Sequence, residues 1–190
     1  MSTVPAPLNE TWSGIGVYTI GHSTRPFEEL VALLAACGVR TLVDIRSVPR
    51  SRRNPQFDTD ALRVTLPAHG IDYRHIGALG GLRRPRTDSP NAAWRNESFR
   101  GYADHMGSDA FEAALEELRA VAAAAPAAVM CAEAVPWRCH RSLVADVLTA
   151  RGAVVRHIIG DAEPKRHQVT RFARIDDGRV TYPAPVQLEL

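Results

Sequence analysis

Five short apolar runs constrain this chain most: VYTI at 17–20, TLVDI at 41–45, IDYRHI at 71–76, AAVMC at 127–131 and VVRHII at 154–159. Each has the length of a buried strand, and amphipathic segments of helical period lie between them. Thr24 is placed to cap a helix opening with Pro26, with Glu28 and Glu29 in its first turn. Leu30, Leu33, Leu34 and Cys37 form its apolar stripe, and Gly38 ends it. The pattern recurs over 58–68 before Gly70, and a short helix is expected over 97–106. Ser108 and Asp109 cap a longer helix running past Leu115 and Leu118 to about Ala125. A last helix spans 141–151, stopped by Gly152.

Strands alternating with helices imply right-handed crossovers and a mostly parallel sheet covered on both faces. The expected fold is an α/β three-layer sandwich, Rossmann-like or rhodanese-like in outline. Residues 77–96, rich in glycine, proline and arginine without periodicity, read as a long loop. Beyond Gly160 the chain turns polar, and Phe172, Ile175, the Asp177-Gly178 pair, Val180 and Tyr182 suggest a small hairpin. The reading is thus an N-terminal tail over 1–15, a core domain over 16–160 and a C-terminal extension over 161–190.

With 190 residues and 45% hydrophobic content, the chain can bury a sizeable core. Its N-terminus lacks the basic region and apolar run of a secretory signal, and no run has the length of a membrane span, so a cytoplasmic location without membrane attachment is expected. Three cysteines, Cys37, Cys131 and Cys139, cannot all pair internally, and free thiols are the default in such a compartment. The net charge is +2, but from Arg46 to Arg100 there are 11 arginines against five acidic residues. That stretch is either a solvated face or a surface for phosphates and carboxylates, which guanidinium groups grip in bidentate fashion.

In an open parallel sheet, sites form outside the carboxyl ends of the strands. The first strand delivers His22 and Ser23 there; the second, Asp44, Arg46 and Ser47; the fourth, Cys131 and Glu133, followed by Arg138, Cys139, His140 and Arg141. These groups are expected to converge. Cys131 reads either as a small core residue or as a nucleophile or redox thiol favoured by nearby arginines. His22 and Glu133 are acid/base candidates, with Cys139 and His140 beside them. Ser23, Asp44, Arg46, Arg138 and Arg141 are candidates for holding an anionic substrate, although Asp44 and Arg46 could equally form a structural ion pair. Metal binding by Cys131, Cys139 and His140 is conceivable, but no CxxC or HxxxH spacing supports it, and no metal ligand is assigned.

The ordered motifs TIGHS (19–23), DIRSVPRSRRNPQF (44–57), LGG (79–81), FRGYADHM (99–106) and CAEAVPWRCHR (131–141) resemble the domain-of-unknown-function 488 family. The resemblance covers roughly residues 16–160 and implies an α/β domain, with no activity to carry over. A looser likeness to rhodaneses and tyrosine phosphatases lies in a strand ending in cysteine, followed by an arginine-bearing loop and a helix. Those enzymes place arginine six residues after the cysteine, where this chain has Trp137; its own arginines stand at Arg138 and Arg141.

The leading expectation is an enzyme acting on an anionic, phosphate-bearing substrate such as a nucleotide or nucleic acid. One alternative is a non-catalytic nucleic-acid-binding module that uses the arginines of 46–100. Another is a metal-binding or thiol-redox protein. The sequence names no cofactor and no oligomeric state.

Overall fold

The computed structural model describes residues 12–185. In chain order they form β1 (Gly16–Gly21), α1 (Phe27–Ala36), β2 (Thr41–Asp44), α2 (Thr59–Thr65), β3 (Asp72–His75), α3 (Glu97–His105) and α4 (Asp109–Ala124). Then come β4 (Ala127–Cys131), α5 (Arg141–Ala150), β5 (Val154–Ile158), β6 (Lys165–Arg166), β7 (Arg174–Asp176) and β8 (Arg179–Thr181). The main sheet has the order β3-β2-β4-β1-β5-β6. Its first five strands are parallel, and β6 adds an antiparallel edge that the sequence pattern did not foretell.

One core packs Leu30, Leu34, Phe57, Leu62 and Leu66 from the α1 and α2 side. The other packs Tyr102, Phe111, Leu115, Leu118, Leu143 and Val147 from α3, α4 and α5. Helices thus cover both faces, as the buried strands require. Trp12, ahead of the expected start of the core, is buried in the second cluster. Among the described residues no helix is long and apolar enough to cross a membrane.

Local chemistry accounts for the element ends. Ser108 caps α4 by accepting from the Phe111 N–H, as expected, and Asn96 caps α3 through the Ser98 and Phe99 N–H groups. Thr24 caps nothing: α1 starts after Pro26, whose ring sets the φ of helix entry without a side-chain cap. The segment expected as one helix over 58–68 is α2 followed by a tight 3₁₀ turn, Leu66–His69, because Pro67 lacks the N–H to continue the helix. The foretold hairpin exists as β7 and β8, with Asp177 and Gly178 both at positive φ in the turn.

The connection after β1 runs to α1 on one face, whereas that after β4 leads to α5 on the other. Because β1 and β4 are neighbours, the chain parts between their carboxyl ends and opens a crevice there.

Candidate functional site

At that crevice β1 ends in Gly21, close against the loop leaving β4. A Cβ added to Gly21 would stand 1.8 Å from the Glu133 carbonyl oxygen and 2.6 Å from its carbon. The His22 and Ser23 N–H groups donate to the carbonyls of Cys131 and Ala132. The loop is therefore pinned onto the strand end. Gly21→Ala must push this backbone away, and the expected loss is about 3 kcal/mol or more, read as a fall in Tm of roughly 6 °C or more. Gly160→Ala, where the added carbon meets nothing within 4 Å, serves as the control; equal melting of the two variants would refute the close-packing account.

Arg141, on the first turn of α5, holds the same loop from below. Its side chain is 1% exposed. Nη1 donates to the Ile20 carbonyl at 2.7 Å, the Glu133 carbonyl at 3.1 Å and the Cys131 sulfur at 3.1 Å, while Nη2 donates to the Ala134 carbonyl at 3.3 Å. No carboxylate pairs with it among the described residues. Burial lowers its pKa to about 10, which still leaves it a cation at neutral pH, with the Cys131 sulfur against it.

Cys131 and Cys139 bring their sulfurs together with Cα atoms 7.7 Å apart, and among the described residues Cys37 stands apart from them, its thiol pushed up by burial. Two of the three cysteines expected as free thiols thus meet sulfur against sulfur. A tight turn at Pro136–Arg138 folds the loop back, so residues eight apart in sequence meet. Cys139 stands at the start of α5 and its sulfur accepts from the Arg141 N–H at 3.5 Å, with His140 Nδ1 also at 3.5 Å.

His140 packs at a tilt against Tyr102, and burial, aided by Arg141 and Arg83, lowers its pKa to about 4 against a smaller upward pull from the Ile45 carbonyl. Four buried side-chain polar atoms lack a hydrogen-bond partner among the described residues, and two of them, His140 Nε2 and Arg141 Nε, are here. Buried polar atoms are normally satisfied, so His140 Nε2 and Arg141 Nε stand out in this crevice.

Asp44, Arg46 and His22 form the adjoining layer. Arg46 donates through Nε and Nη2 to the Asp44 carboxylate, through Nη2 to the Phe57 carbonyl at 2.6 Å, and through Nη1 to His22 Nε2 at 3.1 Å. Tyr73 donates its hydroxyl to Asp44, and burial raises that phenol to about 12. His22 Nδ1 lies 2.8 Å from the Ser23 carbonyl, so the consistent tautomer donates from Nδ1 and accepts at Nε2. Burial, with Arg46 beside it, lowers the His22 pKa to about 4, and both ring nitrogens are engaged. Ser23 holds a left-handed φ of 49° in the same turn.

A pocket of about 300 Å³ opens above these layers, lined by Arg46, Ser47, Cys131, Glu133, Cys139 and His140 among others. Of the residues expected at the site, His22, Asp44 and Arg141 lie beneath it, while Ser23 and Arg138 do not line it. Ser47 donates to the Gly81 carbonyl and joins two of the surrounding loops. Leu82, on that second loop, lines the pocket with a left-handed φ of 58° and was not anticipated. In a cavity of about 230 Å³ near Arg86 and Arg151, Arg151 is engaged by Glu112 and Arg86 by Asp88.

A second cavity, of about 450 Å³, includes Trp94, Trp137, His157, His167 and Lys165 in its lining. Its histidines belong to a directed chain in which Thr19 donates to His157, His157 to His167, and His167 to Asp146, which also accepts from Tyr182. This chain fastens the segment after Gly160 to the core. Among the described residues no group of three His, Cys, Asp or Glu side chains is arranged to hold a metal.

The profile of the family described as "Domain of unknown function DUF488" matches residues 26–148, well over half of the chain. No curated protein and no solved structure gives a match.

Proposed function

The chain belongs to the DUF488 family, whose description carries no activity, and from the site we propose that it is a thiol–disulfide oxidoreductase using Cys131 and Cys139. The observation that carries this reading is the meeting of the two sulfurs at the sheet's carboxyl edge, with a buried guanidinium on one of them that no carboxylate ion-pairs among the described residues. Such a cation favours thiolate over thiol, and a stabilised thiolate is a better leaving group in exchange. The phosphate-substrate reading has less support, because the donors of Arg46 and Arg141 are directed mainly at groups within the protein.

The step runs as follows. A substrate thiolate attacks the Cys139 sulfur, the more exposed of the pair at 6% against 1% for Cys131. The S–S bond breaks, and Cys131 leaves as a thiolate held by Arg141. A second substrate thiolate then attacks the substrate sulfur of the mixed disulfide and releases Cys139 as a thiolate. Two substrate thiols lose two electrons and two protons to become one disulfide, and the protein pair gains the two electrons. Glu133, at the pocket mouth, is the base for the incoming thiol. A low-molecular-weight disulfide restores the protein by the reverse exchange.

Oxidised protein is expected to consume one equivalent of dithiothreitol per chain, measured by thiol titration. Cys131→Ser and Cys139→Ser should consume none, and Cys37→Ser one full equivalent. Undiminished consumption by Cys131→Ser would rule the reading out.

A further inference from the structure

The cavity of about 450 Å³ beside Trp137 shares no lining residue with the pocket over the sulfurs, and its volume is that of a small-molecule site. Its walls come from stretches far apart in sequence: Trp94 ahead of α3, Pro136 and Trp137 in the β4–α5 loop, His157 and Ile159 at the end of β5, and residues of the segment after Gly160. Two of these walls are preformed. Trp94 packs against Phe99, Phe172 and Tyr182, with ring centroids 4.8, 4.9 and 5.4 Å away. His157 and His167 have all four ring nitrogens engaged in the chain from Thr19 to Asp146, so they shape the cavity and offer nothing to an occupant.

Trp137 lines the cavity without being used by the fold. It is 65% exposed, and its side chain makes no ring contact or hydrogen bond among the described residues. The tight turn opened by Pro136 carries it. A flat indole face left in this way is a surface on which another aromatic ring stacks. The polar groups with capacity to spare are nearly all donors. Lys165, Arg166 and Gln168 line the cavity and carry no side-chain hydrogen bond or ion pair among the described residues, and Trp94 Nε1 is a buried N–H without an acceptor. No carboxylate is in the lining.

We propose that this cavity binds a flat, neutral aromatic small molecule with acceptor atoms at its ring edge. The Trp137 indole covers a face of the ring, and Lys165, Arg166 and Gln168 donate to its edge. Indoles also attract cations. A cationic ring in this cavity would meet Lys165 and Arg166 with no carboxylate in the lining to offset them, so the occupant carries acceptors rather than positive charge. The cavity contains neither Cys131 nor Cys139, and it stands or falls apart from the thiol chemistry.

The test is equilibrium dialysis of the full-length protein against three probes of two fused rings each. Quinoline is flat, neutral at pH 7 and has one acceptor nitrogen. N-methylquinolinium is the same ring as a cation, with that nitrogen blocked, and 1-decalone is a saturated, non-planar ketone. Quinoline should bind about tenfold more tightly than either of the others, the scale of one aromatic stacking contact. Trp137→Leu should weaken quinoline binding about tenfold while leaving Tm unchanged, because the side chain is largely exposed. Lys165→Ser combined with Arg166→Ser should narrow the gap between quinoline and N-methylquinolinium. Equal binding of 1-decalone would reduce the cavity to a plain apolar hollow and overturn the aromatic assignment. Binding of N-methylquinolinium as tight as that of quinoline would overturn the neutral, acceptor-bearing class. Quinoline that fails to bind at millimolar concentration, or binds Trp137→Leu as well as the wild type, would overturn the site itself.

Discussion

Arg141→Met is expected to destabilise the protein by about 3 to 5 kcal/mol, the cost of dismantling a buried charged hydrogen-bonding group. Four contacts made by one side chain end together, to the carbonyls of Ile20, Glu133 and Ala134 and to the Cys131 sulfur. The Ile20 carbonyl lies at a buried strand end, so losing its donor leaves a desolvation cost in place, while those of Glu133 and Ala134 lie in a partly exposed loop. Methionine fills much of the volume but donates nothing. For a chain of this length Tm should fall by roughly 6 to 20 °C.

The same substitution has a chemical readout that separates structure from function. In the reduced protein, alkylation of Cys131 at neutral pH should slow in Arg141→Met relative to Cys139, because its thiolate loses the cation. Arg141→Lys should recover part of that reactivity while recovering less stability, since an ammonium cannot span the same fork of carbonyls. Unchanged Cys131 alkylation in Arg141→Met would remove the guanidinium from the chemistry and leave it a purely structural clamp.

Acid should destabilise the fold steeply between about pH 6.5 and pH 4. His22, His140 and His157 are each lowered from 6.5 to about 4, in every case chiefly by burial. Coulombic repulsion adds to this: Arg46 acts on His22, Arg141 and Arg83 on His140, and His167 and Arg141 on His157, with Asp44 and Asp146 opposing it. Folded, all three are neutral through this window; unfolded, all three take up protons below pH 6.5. The unfolded chain then binds up to three more protons than the folded one, and stability falls with pH at up to about 4 kcal/mol per unit. Above pH 6.5 these histidines contribute no slope, and below pH 4 their effect has levelled off.

Urea unfolding at pH 7, 6 and 5 measures this directly. His157→Asn should remove about a third of the slope, even though it also costs stability at pH 7 by interrupting the donation from Thr19 to His167. A flat profile between pH 6.5 and 5 would mean that these histidines are solvated in the fold.

Much of this architecture is legible in single residues. Gly38, Gly70 and Gly152 end their segments at positive φ, where glycine carries no steric cost, and the Asp177-Gly178 pair makes the turn that its type demands. The convergence of strand ends follows from direction alone, since parallel strands deliver their last residues to one edge. That is why Arg46 shares a pocket with Cys131, Glu133, Cys139 and His140 although it lies far from them along the chain. Other features left no local trace. Whether Thr24 or Pro26 opens α1 depends on how the β1 turn is pulled onto the β4 loop. The two-residue strand β6 has too few residues to show a period. The unusual surface of the loop over 77–96, with Leu82 outward, is set by the Ser47 and Tyr102 contacts that hold its start.

What the sequence determined by itself was the kind of elements, their order, and the edge of the sheet where polar groups collect, because period, caps and strand direction are local or follow from connectivity. Only the tertiary structure decided which of those groups are free to act. A guanidinium's role depends on where its donors find acceptors. For Arg141 those acceptors include Ile20, 121 residues away, and for Arg46 they include His22, 24 residues away. Such pairings are fixed when the loop after β4 folds onto β1. Arg46 and Arg141 are thereby turned inward, the two sulfurs are brought together, and Arg50, Arg84 and Arg138 are left facing solvent.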